Sequence, residues 1–310
     1  MTISVLLALL PIVLLIALGA ALKLRQFLAE SFWPQAERLS FYVLLPCLLF
    51  HGLATANLDA LPVGSLAMTL ILSTVAVALL VTLLRPAMRL DGPAFTSVFQ
   101  GSIRFNNYVG VTLAAGLFGV QGVALAAVCN AAIIPTVNIL CVLAFARHGS
   151  IRLDARGVVK QLTMNPLLVG SLAGILFQGL GIGVPPGIEP ALRTLGAASL
   201  PLGLLCVGAA LDFSTARRWI SPVISSSVLK FVAMPLVTLA VARWFDLHGP
   251  VLMTALLFQV LPTASSSYIM ARQLGGDAPL MAGITTMQTV LALVTVPVVL
   301  IALTSWGQTQ

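Results

Sequence analysis

The chain has very few charged residues. Only 8% of its 310 residues are charged and 59% are hydrophobic, with a mean hydropathy of +1.06, whereas about a quarter of the residues of a soluble domain are charged. The apolar residues extend evenly from end to end, so neither half is expected to be stable in water. This composition excludes a soluble protein and predicts an all-α polytopic membrane protein.

Signatures of several other classes are absent. The four cysteines lie singly in apolar runs, without the short spacing of a zinc or redox site. The sequence has no P-loop for nucleotide phosphates and no paired aspartates or His and acidic clusters of the kind that intramembrane proteases and metal-dependent enzymes need. The net charge of +7 is dispersed between apolar runs rather than clustered. We therefore expect no enzyme, no metal, no cofactor and no nucleic-acid partner.

Long apolar runs are abundant instead. A helix that crosses the bilayer needs about 20 mostly apolar residues, and ten runs meet this length. Their approximate limits are 3–22, 33–56, 61–84, 94–118, 123–146, 165–184, 188–211, 219–242, 250–271 and 279–303.

The positions of the basic residues predict the orientation. Of the 16 Lys and Arg residues, twelve lie in or near the loops that follow odd-numbered spans, two lie in or near the opposite loops and two lie at mid-span. Because cytoplasmic loops are enriched in Lys and Arg, we expect both termini to be outside and the central loop to be cytoplasmic. The predicted location is a bacterial-type cytoplasmic (inner) membrane.

The longest basic connection, residues 147–164, separates two groups of five spans, in residues 1–146 and 165–310. Because five is odd, a second half related to the first must insert in the opposite orientation, as in the inverted repeats of many secondary transporters. Weak internal matches, such as Pro46 with Pro201, favour this arrangement over ten unrelated helices. The sequence thus predicts two inverted five-helix repeats.

Polar clusters interrupt the fourth and ninth spans at equivalent positions. Transporter sites of this type lie near the midplane, where broken helices present free backbone groups, although kinked helices whose hydroxyls bond their own carbonyls give the same pattern. Pro46, Gly110, Pro201 and Pro262 are the predicted hinge positions. The clusters consist of Arg104, Asn106, Asn107, Tyr108 and Gly110 in the fourth span and of Pro262, Thr263, Ser265, Ser266 and Ser267 in the ninth.

Arg104 and Lys230 are the two basic residues at mid-span, where none of the nine acidic residues lies. A charged side chain there costs about 2.5–3.5 kcal/mol. These cations must therefore bond carbonyls, reach water or face an anion, which favours an anionic substrate. For Lys230, snorkelling to the interface is the alternative, and for His51 a structural hydrogen bond is the alternative to proton transport.

A further set of residues runs through the second, sixth, seventh, ninth and tenth spans. It consists of Leu261, Pro262, Thr263, Ala264, Ala271, Arg272, Gly275, Gly276 and Asp277, together with Leu45, Pro46, Asn165, Pro166, Leu200, Pro201 and Pro297. With these residues the chain resembles, over essentially its whole length, the auxin efflux carrier family, which includes many bacterial organic-acid carriers. The resemblance implies crossed, broken fourth and ninth spans, a scaffold of spans one, two, six and seven, elevator-like movement of the rest, and a homodimer.

Carried over to this sequence, the resemblance places the substrate site at Asn106 and Asn107 and at Pro262 and Thr263. The chain departs from the family pattern in two places. Val111 and Thr112 stand where a proline often follows the fourth-span glycine, and Ser265 and Ser266 stand where many relatives have Asn or Val.

The sequence therefore predicts a secondary carrier of a small organic anion, a mono- or dicarboxylate, by alternating access. We expect Arg104, Lys230 and the helix ends to offset the carboxylate charge, and Asn106, Asn107, Thr263 and Ser266 to orient it. A sodium- or proton-coupled symporter with a bile-acid-symporter-like fold is an alternative. Measurement of flux with and without a sodium or pH gradient distinguishes the two. A non-transporting membrane receptor or assembly subunit is another, and saturable flux by the purified protein alone excludes it.

Overall fold

A computed structural model describes residues 2–55, 62–150, 166–212, 220–264 and 266–306, and the regular secondary structure of these ranges is entirely helical. Asn165, Ser265 and most of the connection 147–164 lie outside the described residues. The described helices are α1 Thr2–Leu24, α2 Phe32–Ala54, α3 Val63–Met88, α4 Gly92–Ile103, α5 Asn107–His148, α6 Pro166–Gly179, α7 Glu189–Ala209, α8 Ile220–Trp244, α9 Gly249–Gln259, α10 Ser266–Leu274 and α11 Ala278–Trp306.

Six helical stretches in the described ranges are long and apolar enough to cross a membrane. Three shorter apolar helices accompany them, in α1, α6 and α9. By length and composition the chain is an all-helical, multi-pass protein, as the sequence predicts. The six stretches are Phe32–Ala54, Val63–Met88, Gly92–His148, Glu189–Ala209, Ile220–Trp244 and Ala278–Ala302.

The helix α5 folds back on itself at Gly119. This residue has φ +58° and ψ −134°, a conformation outside the helical region that glycine adopts readily. Gly122 packs against the carbonyl group of Ala114, whereas a straight helix would hold residues eight positions apart about 12 Å from each other. The two arms of α5, before and after Gly119, therefore correspond to the end of the fourth predicted span and to the fifth.

Both predicted interruptions are breaks in the helices. Residues 104–106 separate α4 from α5, with extended backbone at Arg104 and Asn106, and the non-helical residues 260–264 follow α9. With these breaks and the reversal at Gly119, each of the ten predicted segments coincides with a helix, a helix arm or a broken helix pair. That all ten cross the bilayer as an inverted repeat, and that the termini lie outside, stay predictions.

Two helices contain a wide π-helical turn, at Ser40–Leu44 in α2 and at Leu229–Ala233 in α8. Each turn is followed two residues later by a proline, Pro46 or Pro235. Proline lacks an N–H donor and its ring displaces the carbonyl group four residues earlier, and the wide turn accommodates that displacement. Pro201 lies inside the regular helix α7, so the local structure at Pro46 matches that at Pro235 rather than that at Pro201.

The helices α1, α2, α6 and α7 form one group, here called the glycine-packed group, in which α1 packs on α7 and α2 packs on both α6 and α7. A Cβ added at Gly19 or Gly208 would overlap backbone atoms of the facing helix, and Gly170 and Gly196 contact the backbone of α2 in the same way. Small residues of this kind let membrane helices approach closely. The second group comprises α3, α4, α5 and α8–α11, and α5 and α11 provide the main contacts between the groups.

We expect Gly208→Ala to destabilise the protein, because the added methyl group would overlap the Ile16 carbonyl group on α1, and overpacking of this kind costs about 1–3 kcal/mol. Gly64→Ala in α3 is the matched control, since no atom lies within 4 Å of its added Cβ. In detergent, Gly208→Ala should lower the midpoint of thermal unfolding and Gly64→Ala should leave it unchanged or raise it. Equal midpoints for the two variants would contradict close packing of α1 on α7.

Candidate functional site

The two helix breaks meet through one hydrogen bond between backbone groups. The N–H of Asn106 donates to the carbonyl group of Pro262 at 2.8 Å. Both residues are buried, and a buried backbone group without a partner is costly in an apolar environment. This bond therefore pairs a backbone donor that one break leaves free with a backbone acceptor that the other break leaves free. It fixes the point, here called the crossing, at which the two breaks meet.

The side chain of Asn106 caps the first turn of α5. Its Oδ1 accepts from the N–H groups of Tyr108 at 3.0 Å and Val109 at 3.3 Å. Asparagine is among the preferred residues for this capping position because its side-chain oxygen satisfies donors that the helix leaves free. The Asn106 oxygen is thus already committed to the helix terminus.

Close packing also holds the breaks together. A Cβ added at Gly110 in the first turn of α5 would lie 2.6 Å from the Leu261 side chain and 3.2 Å from the Phe258 ring. The Phe105 ring lies against Phe258, with ring centroids 5.7 Å apart. Gly110, a predicted hinge, therefore provides room for α9 to reach the crossing.

Arg104 ends α4 and its guanidinium group has three neutral partners. Nη1 donates to the Asn138 side-chain oxygen at 3.1 Å and lies 3.1 Å from the Met270 sulfur, and Nη2 lies 3.4 Å from the Ser266 hydroxyl oxygen. Nε is buried and has no hydrogen-bond partner within the described residues. None of these three partners carries a charge that would offset that of the guanidinium group.

The Arg104 side chain lines a cavity of about 460 Å³, a volume within the range of small-molecule sites. The first half of α2, the second arm of α5 and the whole of α10 form its walls. Its lining residues are Pro34, Glu37, Arg38, Phe41, Tyr42, Arg104, Asn138, Val142, Ser266, Ile269, Met270 and Gln273. Arg38 and Gln273 are exposed, so the cavity extends from the guanidinium group at the crossing to one surface of the molecule.

A smaller space of about 20 Å³ lies deeper, beside the break itself. Its lining includes Arg104, Asn107, Asn138 and Ser266. The Asn107 Oδ1 is buried and has no hydrogen-bond partner in the part of the chain that the structure describes. The structure thus brings three predicted site residues, Arg104, Asn107 and Ser266, to one place.

Other predicted site residues lie outside the lining of the large cavity. Thr263 is fully buried, with its hydroxyl group 3.2 Å from that of Ser267, and Pro262 contributes its carbonyl group to the crossing. The Tyr108 ring packs against Gly203 of α7, where an added Cβ would overlap it. These residues do not line the large cavity, and Ser265 lies outside the described residues.

Lys230 is fully buried in the wide turn of α8. Its Nζ has no hydrogen-bond partner among the described residues, and the residue does not line the large cavity. The structure therefore separates the two mid-span cations, and only Arg104 reaches the cavity.

Two residues that contact the Arg104 guanidinium group were not singled out from the sequence. Asn138 and Met270 both contact the guanidinium group. Asn138 lies in an otherwise apolar run three residues after Pro135, and a polar side chain at that depth is the signal that could have identified it. Met270 carries no comparable signal, because methionine is common in apolar helices.

Comparison with known proteins identifies relatives of the whole chain. A family model described as membrane transport protein matches residues 4–300. The chain is also similar to an uncharacterized transporter of Methanothermobacter thermautotrophicus, with 24% identity over 291 residues that cover 93% of this chain and 95% of the relative.

The adjacent asparagines should respond differently to truncation. Asn106→Ala removes the cap of α5 and should destabilise the protein by about 1 kcal/mol, whereas the Asn107 oxygen makes no hydrogen bond that alanine would break. Thermal unfolding in detergent should therefore show a lower midpoint for Asn106→Ala than for Asn107→Ala. The reverse order would contradict the assignment of the cap to Asn106.

Proposed function

The chain belongs to the membrane transport protein family, of the auxin efflux carrier type, and on this premise we propose that it is a secondary carrier of a small organic anion, a mono- or dicarboxylate. The observation that carries the proposal is Arg104, which directly follows α4 at the first break. Its hydrogen-bond partners among the described residues are neutral, and it lines a cavity of about 460 Å³. Two basic residues, Arg38 and Arg104, and one acidic residue, Glu37, belong to the cavity lining, so the lining favours an anion, and a carboxylate would fit the planar fork of the guanidinium group.

The chemistry around Arg104 supports an anionic substrate. A guanidinium group presents its donors in a planar fork that fits a carboxylate, and α10 begins at Ser266 in the cavity wall, so the positive end of its dipole faces the same space. Asn107 and Ser266 offer uncharged polar groups beside the fork. In this proposal Arg104 binds the carboxylate, and Asn107, Asn138 and Ser266 orient it.

The division into two helix groups supports transport by relative movement. The cavity lies between α2 of the glycine-packed group and Arg104, α5 and α10 of the second group. Movement of the second group against the first would carry Arg104 and a bound anion together, which is the elevator type of alternating access. The inverted five-plus-five repeat, the scaffold role of the glycine-packed group and a homodimeric assembly are parts of the same proposal and derive from the family resemblance.

The cavity opens on the side that the positive-inside rule assigns to the cytoplasm. Arg38 and Gln273 at its exposed end belong to the segments around the predicted cytoplasmic loops. We therefore propose that the described conformation faces inward.

Removal of the guanidinium group tests the substrate assignment. Arg104→Gln should lower carboxylate uptake into proteoliposomes by at least about tenfold, because a hydrogen-bonded charge contributes about 1.5–3 kcal/mol. Arg193→Gln is the control, since Arg193 is exposed on α7 and outside the cavity lining. If the uptake of every transported carboxylate were unchanged in Arg104→Gln, the role assigned to Arg104 would be wrong.

Single cysteines test the orientation of the cavity. Gln273→Cys should react with a membrane-impermeant thiol reagent from the cytoplasmic side only, in inside-out vesicles. Gly187→Cys, in the exposed connection between α6 and α7, should react only in right-side-out vesicles. Reaction of both cysteines from one side would refute the proposed orientation, and the unsubstituted protein measures the background from its native cysteines.

A further inference from the structure

Gln288 of α11 is a fully buried polar residue that lies outside the cavity lining. Its Oε1 accepts from the N–H of Thr263 at 3.0 Å, and its Nε2 donates to the carbonyl group of Gly101 at 3.0 Å and to the Ser226 hydroxyl oxygen at 3.2 Å. One side chain from a third helix therefore bonds to backbone groups on both sides of the crossing.

The positions of these backbone groups relate Gln288 to the substrate site. Gly101 lies in the last turn of α4, three residues before Arg104, and Thr263 directly follows Pro262 in the second break. The hydrogen bond at the crossing joins Asn106, which follows Gly101 along the chain, to Pro262, which directly precedes Thr263. The distance between α4 and the second break is thus fixed both by the crossing bond and by the Gln288 side chain.

A carboxamide meets both hydrogen-bonding requirements at once. The Thr263 N–H needs an acceptor, and the Gly101 carbonyl group needs a donor, and a glutamine side chain offers both. Methionine, of similar length, offers neither an amide acceptor nor a donor. Asparagine keeps the carboxamide but is one methylene group shorter, so it cannot reach both breaks from the same position on α11.

We propose that Gln288 is a positioning residue: it joins the last turn of α4, just before the first break, to Thr263 of the second break, and this link between the breaks holds the Arg104 guanidinium group against the cavity. The residue makes no contact with the substrate. The link between the breaks stands on the hydrogen bonds alone, whereas the effect on substrate binding rests on the proposed transport function.

Gln259 of α9 provides a matched control. It is also buried, with 1% exposure. Its Nε2 contacts Ser73 Oγ at 2.9 Å, Thr74 Oγ1 at 3.1 Å and the Leu70 carbonyl oxygen at 3.3 Å. These three contacts attach α9 to α3 and involve no group of α4 or of residues 262–264. A variant at Gln259 thus loses as many buried contacts as a variant at Gln288 without breaking the link between the two breaks.

Hydrogen exchange of the purified full-length protein measures the link without any substrate. In Gln288→Met, amide exchange should accelerate by about tenfold or more in peptides from both breaks, those that contain Asn106 and Thr263. In Gln259→Met these peptides should exchange as in the wild type. Acceleration at one break only, or the same acceleration in Gln259→Met, would overturn the proposal. Gln288→Asn should accelerate exchange at both breaks as well, and it serves in place of Gln288→Met if that variant does not fold.

Uptake kinetics in proteoliposomes then measure the positioning effect. For the carboxylate that the wild type transports, Gln288→Met should raise KM by about tenfold and change Vmax less, whereas Gln259→Met should keep the wild-type KM. A wild-type KM in Gln288→Met, with lower Vmax and stability in both variants, would show a merely structural role. If the wild type transported no carboxylate, the proposed function would fail, and the exchange experiment would still decide whether Gln288 joins the breaks.

Discussion

The structure depends on the requirement that backbone polar groups buried in an apolar medium find partners. A continuous helix meets this requirement internally, but each break exposes donors and acceptors that lipid cannot satisfy. In this chain the two breaks satisfy each other through the bond between Asn106 and Pro262, with Asn106 Oδ1 and the Gln288 carboxamide serving further groups. Neither break would be stable alone, so their meeting point determines how α4, α5, α9 and α10 are arranged.

This arrangement also explains the position of the buried cation. The end of α4 carries Arg104 just beyond the last helical turn, where the side chain contacts Asn138 of α5 and Ser266 of α10. The same break that requires a backbone partner thus places a guanidinium group where three helices converge. The opposite wall of the cavity is formed by α2, which packs closely on α6 and α7 because glycines in these two helices contact its backbone.

The sequence predicted the breaks better than it predicted the directions of side chains. Proline and clustered polar residues disrupt a helix wherever they occur, so Pro262 and the run from Arg104 to Asn107 were visible in the sequence alone. The direction of a side chain depends on which neighbour covers each helix face, and a helix that is apolar on all sides gives no periodic signal for it. Tyr108 therefore belongs to the same polar run yet packs on Gly203, while Asn138, a single polar residue, contacts Arg104.

The wide turns in α2 and α8 have a consequence for chain length. Each holds one residue more than a regular helical turn, and one residue rotates all later side chains by about 100° around the helix axis. A deletion of one residue within Ser40–Leu44 or Leu229–Ala233 would convert the wide turn to a regular one and leave both flanking segments on their present faces. Elsewhere in these helices the same deletion would turn the following segment away from its packing partners. Homologous chains that differ in length by a single residue within α2 or α8 should therefore carry their gap at these turns.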